Sequence, residues 1–294
     1  MIRLAAVLGV FFISFSAIFV RLADVEPITA AFFRALYALP ILAVIYLLKG
    51  RPDPRPRRDR WTACLAGAML GVDLIFWHHA IEHIGAGLST VMGNTQVVFV
   101  GLTAWWLYGE RPSRSAFGLI PLIFVGVVLV TGLGRGDAYG SDPAKGVMFG
   151  ILTALAYTAF LMLLRAAGKT QGPSVGPLLD ATFGAAAATL ILGLALGNFS
   201  LAVHWPAHGW IVALALVSQV FGWLLITDAL PKLPALETSV LLLLQPMMTM
   251  LWGFLIFAEI LSPVQWAGVL CIVLGVGTLS MVGSVRDDSE ASVG

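Results

Sequence analysis

The sequence predicts an all-α polytopic membrane protein with ten transmembrane helices. Three observations support this fold class: the composition, a series of apolar segments and an internal repeat. Of the 294 residues, 59% are hydrophobic and only 11% are charged, and the mean hydropathy is +0.92. A soluble domain carries about 25% charged residues to cover its surface. The composition therefore excludes a soluble enzyme, a nucleic-acid-binding protein and a disordered chain.

Ten apolar segments are long enough to cross the hydrocarbon core of a bilayer, which is about 30 Å thick and requires about 20 helical residues. Residues that end helices separate them, among them Gly50-Arg51-Pro52, Asp142-Pro143 and Ser262-Pro263. We expect the first segment to be an uncleaved helix, because it has no convincing small-residue cleavage site. Numbered from 1 to 10, the predicted helices span 2–21, 27–48, 61–81, 84–107, 115–133, 146–165, 175–197, 209–229, 235–257 and 264–283.

The positive charges predict the orientation, since loops rich in Lys and Arg remain in the cytoplasm. With the N-terminus placed inside, 13 of the 17 Lys and Arg residues fall on the cytoplasmic side and three fall outside. The remaining one, Arg34, lies within a helix. Both termini are therefore expected in the cytoplasm. The group from Arg51 to Arg60 is either a topology determinant or a binding site for anionic lipid.

The two halves of the chain resemble each other at an offset of 149 residues. Scarce polar residues carry most of the weight, because Gln96 aligns with Gln245 and Glu110 aligns with Glu259. Each copy holds five helices, and this odd number inverts the second copy in the membrane. Many secondary transporters have such inverted repeats, with the substrate site where the repeats meet. We predict a first repeat at 1–135, a linker loop at 136–144, an inverted second repeat at 145–284 and a cytoplasmic tail at 285–294.

Short motifs recur in both halves of the chain. The second half contains Ala229-Leu230, Gln245-Pro246, Glu259, Gln265-Trp266, Gly268 and Gly275, and the first contains Phe33-Arg34, Ala80, Gly109-Glu110-Arg111, Gly118 and Gly126. Together they resemble the EamA family of the drug/metabolite transporter superfamily. The resemblance implies a central cavity lined mainly by helices 1, 3, 4, 6, 8 and 9, and export of small organic solutes, including amino acids. Helix 1 reads Phe15-Ser16-Ala17 where many members carry a Trp, so no role of that Trp is transferred.

Ionisable side chains at membrane depth are costly and therefore suggest function. Arg34 lies about two turns into predicted helix 2. It reaches out to the interface, pairs with a carboxylate that fixes neighbouring helices, or contacts a substrate carboxylate. Asp180, near the start of helix 7, is one possible partner. Asp73 in helix 3 is a candidate coupling carboxylate, with a buried hydrogen bond between helices as the alternative.

A group of histidines at the end of helix 3 has three interpretations. His79-x-x-Glu82-His83 has the spacing of the zinc motif of inverzincin proteases, with both histidines on one helical face. This spacing would suit an intramembrane metal-dependent hydrolase. The alternatives are a polar helix end at the interface, or a gate in which His79 faces the cavity and titrates during proton-coupled export. We assign no metal site here and place His78 among the gating residues.

Uncharged polar side chains complete the predicted cavity. Asn94, Gln96 and Gln245 can satisfy the polar ends of a neutral or zwitterionic solute without a buried charge, or they can hold helices together. Pro246 frees a backbone carbonyl in mid-helix and is a candidate hinge. The predicted substrate contacts are His79, Asn94, Gln96, Tyr157, Gln219, Trp223 and Gln245, and the predicted gating or coupling residues are Arg34, Asp73, His78 and Pro246.

These features predict a secondary transporter that works by alternating access. Helix 1 has Ser14 and Ser16 but no acid, unlike the small multidrug exporters of the same superfamily, and one intramembrane Arg is too few for a sugar-phosphate carrier. A hydrophobic or aromatic amino acid, exported across a bacterial inner membrane, is the expected substrate. The alternatives are the hydrolase and a facilitative channel. We expect no catalytic residue, no cofactor and no nucleic-acid partner; the bilayer and the small solute are the expected partners.

Overall fold

The computed structural model describes residues 2–48, 53–108, 114–130, 138–167, 175–197, 199–229 and 235–291. These ranges contain α-helices and one π-helical segment, Leu214–Gly222, and no β-strand. The helices are α1 (Ile2–Ser14), α2 (Ser16–Ala23), α3 (Pro27–Leu48), α4 (Arg57–Gly93), α5 (Gln96–Tyr108), α6 (Arg114–Val130), α7 (Pro143–Ala167), α8 (Val175–Leu196), α9 (Ala207–Ala213), α10 (Trp223–Ala229), α11 (Ala235–Phe257) and α12 (Pro263–Ala291). The all-helical fold class is therefore confirmed for the described residues.

Each predicted apolar segment overlaps one or more of these helices. Within the described ranges, six stretches are long and apolar enough to cross a membrane, and three further apolar helices are shorter. The tenth helix is longer than predicted, because α12 continues to Ala291 and enters the predicted tail. The six long stretches are Leu4–Ala23, Pro27–Leu48, Arg57–Thr103, Pro143–Leu164, Val175–Leu196 and Ala207–Ile226, and the shorter ones are Gly118–Val130, Leu244–Phe257 and Pro263–Thr278.

Helix α4 folds back on itself at Gly85. This glycine has φ 77° and ψ 176°, a conformation outside the helical region that favours glycine. Phe149 of α7 stacks on Phe76, before the break, with ring centroids 6.3 Å apart. A Cβ on the adjacent Gly150 would lie 2.6 Å from Met92, after the break. Both parts of α4 therefore run beside the same turn of α7, and the chain reverses direction at Gly85.

The helix bundle has two ends, the Gly85 end and the Arg55 end. The Gly85 end holds the chain reversal, together with Arg21 at the end of α2 and Glu259 between α11 and α12. The Arg55 end lies where α3 ends and α4 begins, and there Arg55 contacts Asp180 near the start of α8. Since α3 has 22 residues and a helix rises 1.5 Å per residue, the two ends are about 30 Å apart.

Helices α4 and α8 approach each other until their backbones touch. A Cβ on Gly67 of α4 would overlap the carbonyl oxygen of Ala181 in α8. Likewise, a Cβ on Gly184 of α8 would overlap the carbonyl oxygen of Cys64 in α4. Small residues allow this approach between membrane helices, where dispersion contacts replace the hydrophobic effect.

Replacing Gly67 with Ala is expected to force α4 and α8 apart. We expect a loss of roughly 1–3 kcal/mol, the range for overpacked cores, measured as a lower melting temperature of the detergent-purified protein. Gly101→Ala is the matched control, because a Cβ at Gly101 has no neighbour within 4 Å and Ala favours a helix. Equal melting temperatures for the two variants would contradict the backbone contact.

Candidate functional site

Five helical elements bring polar side chains together inside the bundle. Arg34 of α3 is 4% exposed, and its Nε donates a hydrogen bond of 2.9 Å to Oε1 of Gln219 in the π-helical segment. Nε2 of Gln219 donates to the hydroxyl of Thr182 in α8 over 3.3 Å. Asp73 of α4 and Tyr157 of α7 are near enough to interact electrostatically with Arg34. These five residues are called the central cluster.

The central cluster places one basic and one acidic side chain away from water. Asp73 is also buried, and burying a charge is costly unless an opposite charge or hydrogen bonds compensate it. Arg34 is near enough to Asp73 to interact with it electrostatically, and it is also hydrogen-bonded to Gln219. A guanidinium can bind a carboxylate through two parallel hydrogen bonds, and a carboxylate can accept hydrogen bonds from an ammonium group. The cluster can therefore bind both charged groups of a zwitterion.

Aromatic side chains flank the central cluster. Tyr157 lies against Phe160, with ring centroids 5.4 Å apart, and Phe160 meets Trp223 edge to face at 6.1 Å. Trp223 directly follows the π-helical segment that carries Gln219. π-Helical segments are rare and are frequent at functional sites. This wall offers an apolar surface to the side chain of a bound solute.

A second aromatic contact lies where predicted helix 1 is interrupted. The interruption at Phe15 separates α1 from α2, and the Phe15 ring stacks on Trp252 of α11 with centroids 4.8 Å apart. Nε1 of Trp252 donates to the Ser14 hydroxyl over 3.0 Å. The hydroxyl of Thr249 donates to the Ser14 carbonyl oxygen, also over 3.0 Å. Helix α11 thus supplies partners for the backbone that the break exposes.

A further break separates α4 from α5 at Asn94 and Thr95. Asn94 donates from Nδ2 to the carbonyl oxygen of Thr90 over 2.8 Å, so its amide group bonds to the end of its own helix. Gln96 begins α5, and its buried Oε1 has no hydrogen-bond partner in the described part of the chain. Gln245 is partly buried in α11, which continues through Pro246 without a break.

The predicted site residues thus fall into three groups. Arg34, Asp73, Tyr157 and Gln219 meet in the central cluster, with Trp223 beside it. Asn94 and Gln96 lie at the α4–α5 break and Gln245 and Pro246 in α11, whereas His78 and His79 lie near the Gly85 end. Sequence reasoning missed Thr182, for which a lone hydroxyl in an apolar segment gives no signal.

The two histidines of the His79-x-x-Glu82-His83 motif stack on an aromatic ring of α7. Nδ1 of His79 lies 3.0 Å from Oε2 of Glu82. His79 and His83 both stack on Phe149, with centroids 5.0 Å and 5.8 Å away. Within the described ranges, no group of three His, Cys, Asp or Glu side chains could hold a metal ion. This geometry does not favour the hydrolase interpretation.

Glu259 joins four segments at the Gly85 end. Its carboxylate accepts hydrogen bonds from the backbone N–H groups of Ala86 (2.7 Å) and Gly87 (3.0 Å), the first residues after the reversal. Arg21 of α2 forms an ion pair with the same carboxylate and donates to the Tyr139 hydroxyl over 3.3 Å. A carboxylate at a helix N-terminus is stabilised by the helix dipole and the free N–H groups. The sequence singled out Glu259 as the repeat partner of Glu110, which lies outside the described residues.

A cavity of about 450 Å³ opens at the Gly85 end. Arg21, Asp24, Glu82 and His78 contribute to its lining, whereas the central cluster does not. His78 separates the two regions, since it lines the cavity and also interacts electrostatically with Arg34. His79, which the sequence predicts to face the cavity, is not among its lining residues.

Buried ion pairs hold the Arg55 end together. Nη2 of Arg55 lies 2.7 Å from Oδ2 of Asp53 and 2.8 Å from Oδ2 of Asp180. The hydrogen bonds from Arg55 lower the pKa of Asp53 to about 2. The predicted partnership of Asp180 with Arg34 is therefore wrong, because Asp180 pairs with Arg55. The sequence placed Arg55 in a solvated positive loop, and nothing in the pattern indicated its burial.

Comparisons with known proteins identify proteins that are similar to this chain in sequence or fold. The chain matches the EamA-like transporter family over residues 1–132 and 144–281. It is 24% identical over 254 residues to the uncharacterized transporter YcbK of Bacillus subtilis (strain 168), covering 83% of this chain and 80% of that protein. An uncharacterized transporter of Archaeoglobus fulgidus is 25% identical over 271 residues, covering 90% and 92%. A protein with a crystal structure shares the fold, with a TM-score of 0.65 at 13% identity over 95% of this chain and 97% of that one.

Replacing Arg55 with Ala is expected to cost about 3 kcal/mol, as for other buried ion pairs that lose one partner. The change leaves Asp53 without a counter-charge, and Asp180 keeps only the exposed Arg60, whose Nε is 3.6 Å away. The stability difference from wild type should be largest near neutral pH. It should shrink on acidification towards the lowered pKa of Asp53, because a protonated Asp53 no longer needs Arg55. The exposed Arg57→Ala is the control, and equal stability of both variants would contradict the burial of this pair.

Proposed function

Since this chain belongs to the EamA-like transporter family, we propose that it is a secondary transporter for a small zwitterionic organic solute. Alternating access between the two sides of a bacterial inner membrane is the proposed mechanism. The observation that carries the proposal is the central cluster, in which the basic Arg34 and the acidic Asp73 are both buried inside the helix bundle and near enough to interact electrostatically.

The two charges suit a zwitterion in both the empty and the loaded state. In the empty site, we propose that Arg34 and Asp73, which are near enough to interact electrostatically, carry opposite charges. A bound α-amino acid replaces that interaction with two others, its carboxylate on the guanidinium and its ammonium on the carboxylate. The net charge of the site is zero in both cases, so neither state leaves an uncompensated charge in the membrane. The hydrogen bond to Gln219 fixes the guanidinium plane for bidentate binding.

The aromatic wall supports a hydrophobic or aromatic amino acid as the substrate. Tyr157, Phe160 and Trp223 are linked by ring contacts beside the charged pair. Aromatic rings bury large apolar area and add offset or edge-to-face contacts with another ring. A small polar solute would leave this surface without a partner, whereas an aromatic side chain would cover it.

Inverted five-helix repeats with both termini in the cytoplasm complete the proposal. The excess of Lys and Arg on one side supports the orientation. A reciprocal contact supports the repeats: a Cβ on Gly126 of α6 would lie 2.7 Å from the carbonyl oxygen of Gly268 in α12, and the reverse distance is also 2.7 Å. A two-fold axis between equivalent helices produces such reciprocity. In this orientation, the cavity at the Gly85 end opens to the outside, the exit side of an exporter.

Counterflow in proteoliposomes tests the function. Vesicles loaded with one of the twenty amino acids receive a trace of the same labelled compound outside, with and without a pH gradient. We expect transient accumulation of the label for a few apolar amino acids only. A channel would equilibrate the label without accumulation, and the absence of uptake for every amino acid would contradict the proposed substrate class.

Arg34→Lys tests the role of the central cluster. Lys keeps the charge but lacks the planar fork, so it cannot bind Gln219 and a carboxylate in the same way. We expect counterflow to fall roughly 10- to 100-fold, since hydrogen bonds to charged groups contribute about 1.5–3 kcal/mol, with an unchanged elution volume and folding yield. The exposed Arg58→Lys is the matched control. Full counterflow in Arg34→Lys would remove Arg34 from the substrate site.

A further inference from the structure

The cavity at the Gly85 end is a separate space from the central cluster. We propose that it is a second binding site for the zwitterionic solute, in which Arg21 binds the carboxylate and Asp24, Glu82 and His78 bind the ammonium group. This inference rests on the proposed function, because the solute is the same. It adds a stopping point on the exit path, after the solute has left the central cluster.

The dimensions and position of the cavity suit such a site. Its volume of about 450 Å³ lies within the range of roughly 300–1,000 Å³ that is typical of small-molecule sites. His78 lines the cavity and also interacts electrostatically with Arg34. A solute that moves past His78 therefore passes directly from one region to the other.

Arg21 has donors available for a carboxylate. Its side chain is 33% exposed and lines the cavity. Its hydrogen bonds to described side chains, those of Glu259 and Tyr139, both use Nη1. A guanidinium has five N–H donors, so Nε and Nη2 can donate to a solute. The ring of Phe257 lies 4.2 Å from the guanidinium carbon and holds its plane by a cation–π contact.

Glu259 does not require the whole charge of Arg21. Its carboxylate also accepts hydrogen bonds from the N–H groups of Ala86 and Gly87, at the start of a helical segment. Charge-assisted hydrogen bonds and the helix dipole both stabilise a carboxylate in this position. Arg21 can therefore share its charge with a solute carboxylate while Glu259 stays compensated.

His78 provides an independent reason to expect a ligand. Its side chain is 1% exposed, and Nδ1 donates to the carbonyl oxygen of Pro27 over 3.0 Å. With the proton on Nδ1, Nε2 is an acceptor, and it has no hydrogen-bond partner among the described residues. Buried acceptors without partners are uncommon in native structures. An ammonium group supplies the missing donor.

The acidic residues complete the ammonium side of the site. Asp24 ends α2 in a left-handed conformation, with φ 48° and ψ 52°, and is exposed. Glu82 is half-exposed and contacts His79. Together with Arg21, which also lines the cavity, these carboxylates give the cavity both signs of charge. A purely anionic or purely cationic solute would meet repulsion from one of them.

Saturation binding of labelled L-phenylalanine to the purified full-length protein tests the second site. Wild type is expected to bind two molecules per chain. Arg34→Lys should leave one, Arg21→Gln should leave the other, and the double variant should bind none. L-Phenylalaninol, which lacks the carboxylate, and 3-phenylpropionate, which lacks the ammonium group, should each fail to displace the label.

Additional variants separate binding from folding. Asp24→Asn with Glu82→Gln leaves the Arg21–Glu259 pair intact and should weaken the second site about fivefold, the effect of a partly exposed charge pair. Glu26→Gln is the matched control, because Glu26 is an exposed carboxylate next to these residues and is not part of the lining. A single wild-type site that is lost in Arg34→Lys and unchanged in Arg21→Gln would overturn the second site and leave the proposed function in place. No binding to wild type would overturn the proposed substrate as well.

Discussion

The contact between Glu259 and the chain reversal at Gly85 is the interaction on which much of the architecture depends. A buried carboxylate needs compensation, and a buried helix start needs acceptors for its first N–H groups. Glu259 and the N–H groups of Ala86 and Gly87 satisfy each other. A Cβ on Gly85 would lie 2.5 Å from Oε1 of Glu259, so glycine supplies both the backbone conformation and the space. The contact fixes the part of α4 before the reversal, which carries Asp73, relative to the part of α4 that follows the reversal.

At Gly85 and at the α1–α2 break, side chains from other helices or loops bond to the interrupted backbone. Hydrocarbon offers no hydrogen bonds, so a broken helix within a membrane must find partners in the protein. The hydroxyl of Thr249 donates a hydrogen bond to the carbonyl oxygen of Ser14. The hydroxyl of Ser218, in the π-helical segment, donates to the carbonyl oxygen of Phe12 over 3.1 Å. Breaks that are satisfied in this way can bend at low cost, because the hydroxyl donors follow the carbonyl groups. The breaks in α1–α2 and in the π-helical segment lie on helices that contact each other, where a change between two conformations requires bending.

The helices could be predicted from the sequence because length and hydropathy are properties of the chain itself. The selection of Arg34, Asp73, Tyr157 and Gln219 as candidate site residues followed from the scarcity of polar groups in apolar segments, and the structure brings these four close together. Their partners could not be predicted, since pairing depends on which helix faces meet. Asp180 illustrates this limit: its position along the helix suggested Arg34, whereas the loop that carries Arg55 folds over the start of α8.

The histidines of predicted helix 3 also show that the sequence does not determine which side chain of a helix faces which neighbour. Neighbouring residues on a helix point about 100° apart, so a small error in helix rotation exchanges their roles. His79 stacks on Phe149, and His78 lines the cavity. The rotation is set by contacts such as that of Gly67 with the backbone carbonyl of Ala181, which involve small residues and backbone atoms and do not show in a pattern of polarity.

Charge compensation explains why a transporter with so few charged residues can contain basic and acidic side chains inside its helix bundle. Arg21 with Glu259 is neutral as a pair, and Arg34 is near enough to Asp73 to interact with it electrostatically. A lone buried charge would attract a solute of opposite sign strongly but would be left uncompensated when the site empties, which slows the return of the empty carrier. A zwitterion binds to a neutral pair by replacing one interaction with two of similar strength. The empty and loaded forms then differ little in electrostatic free energy, which is the condition for a carrier to change conformation in both.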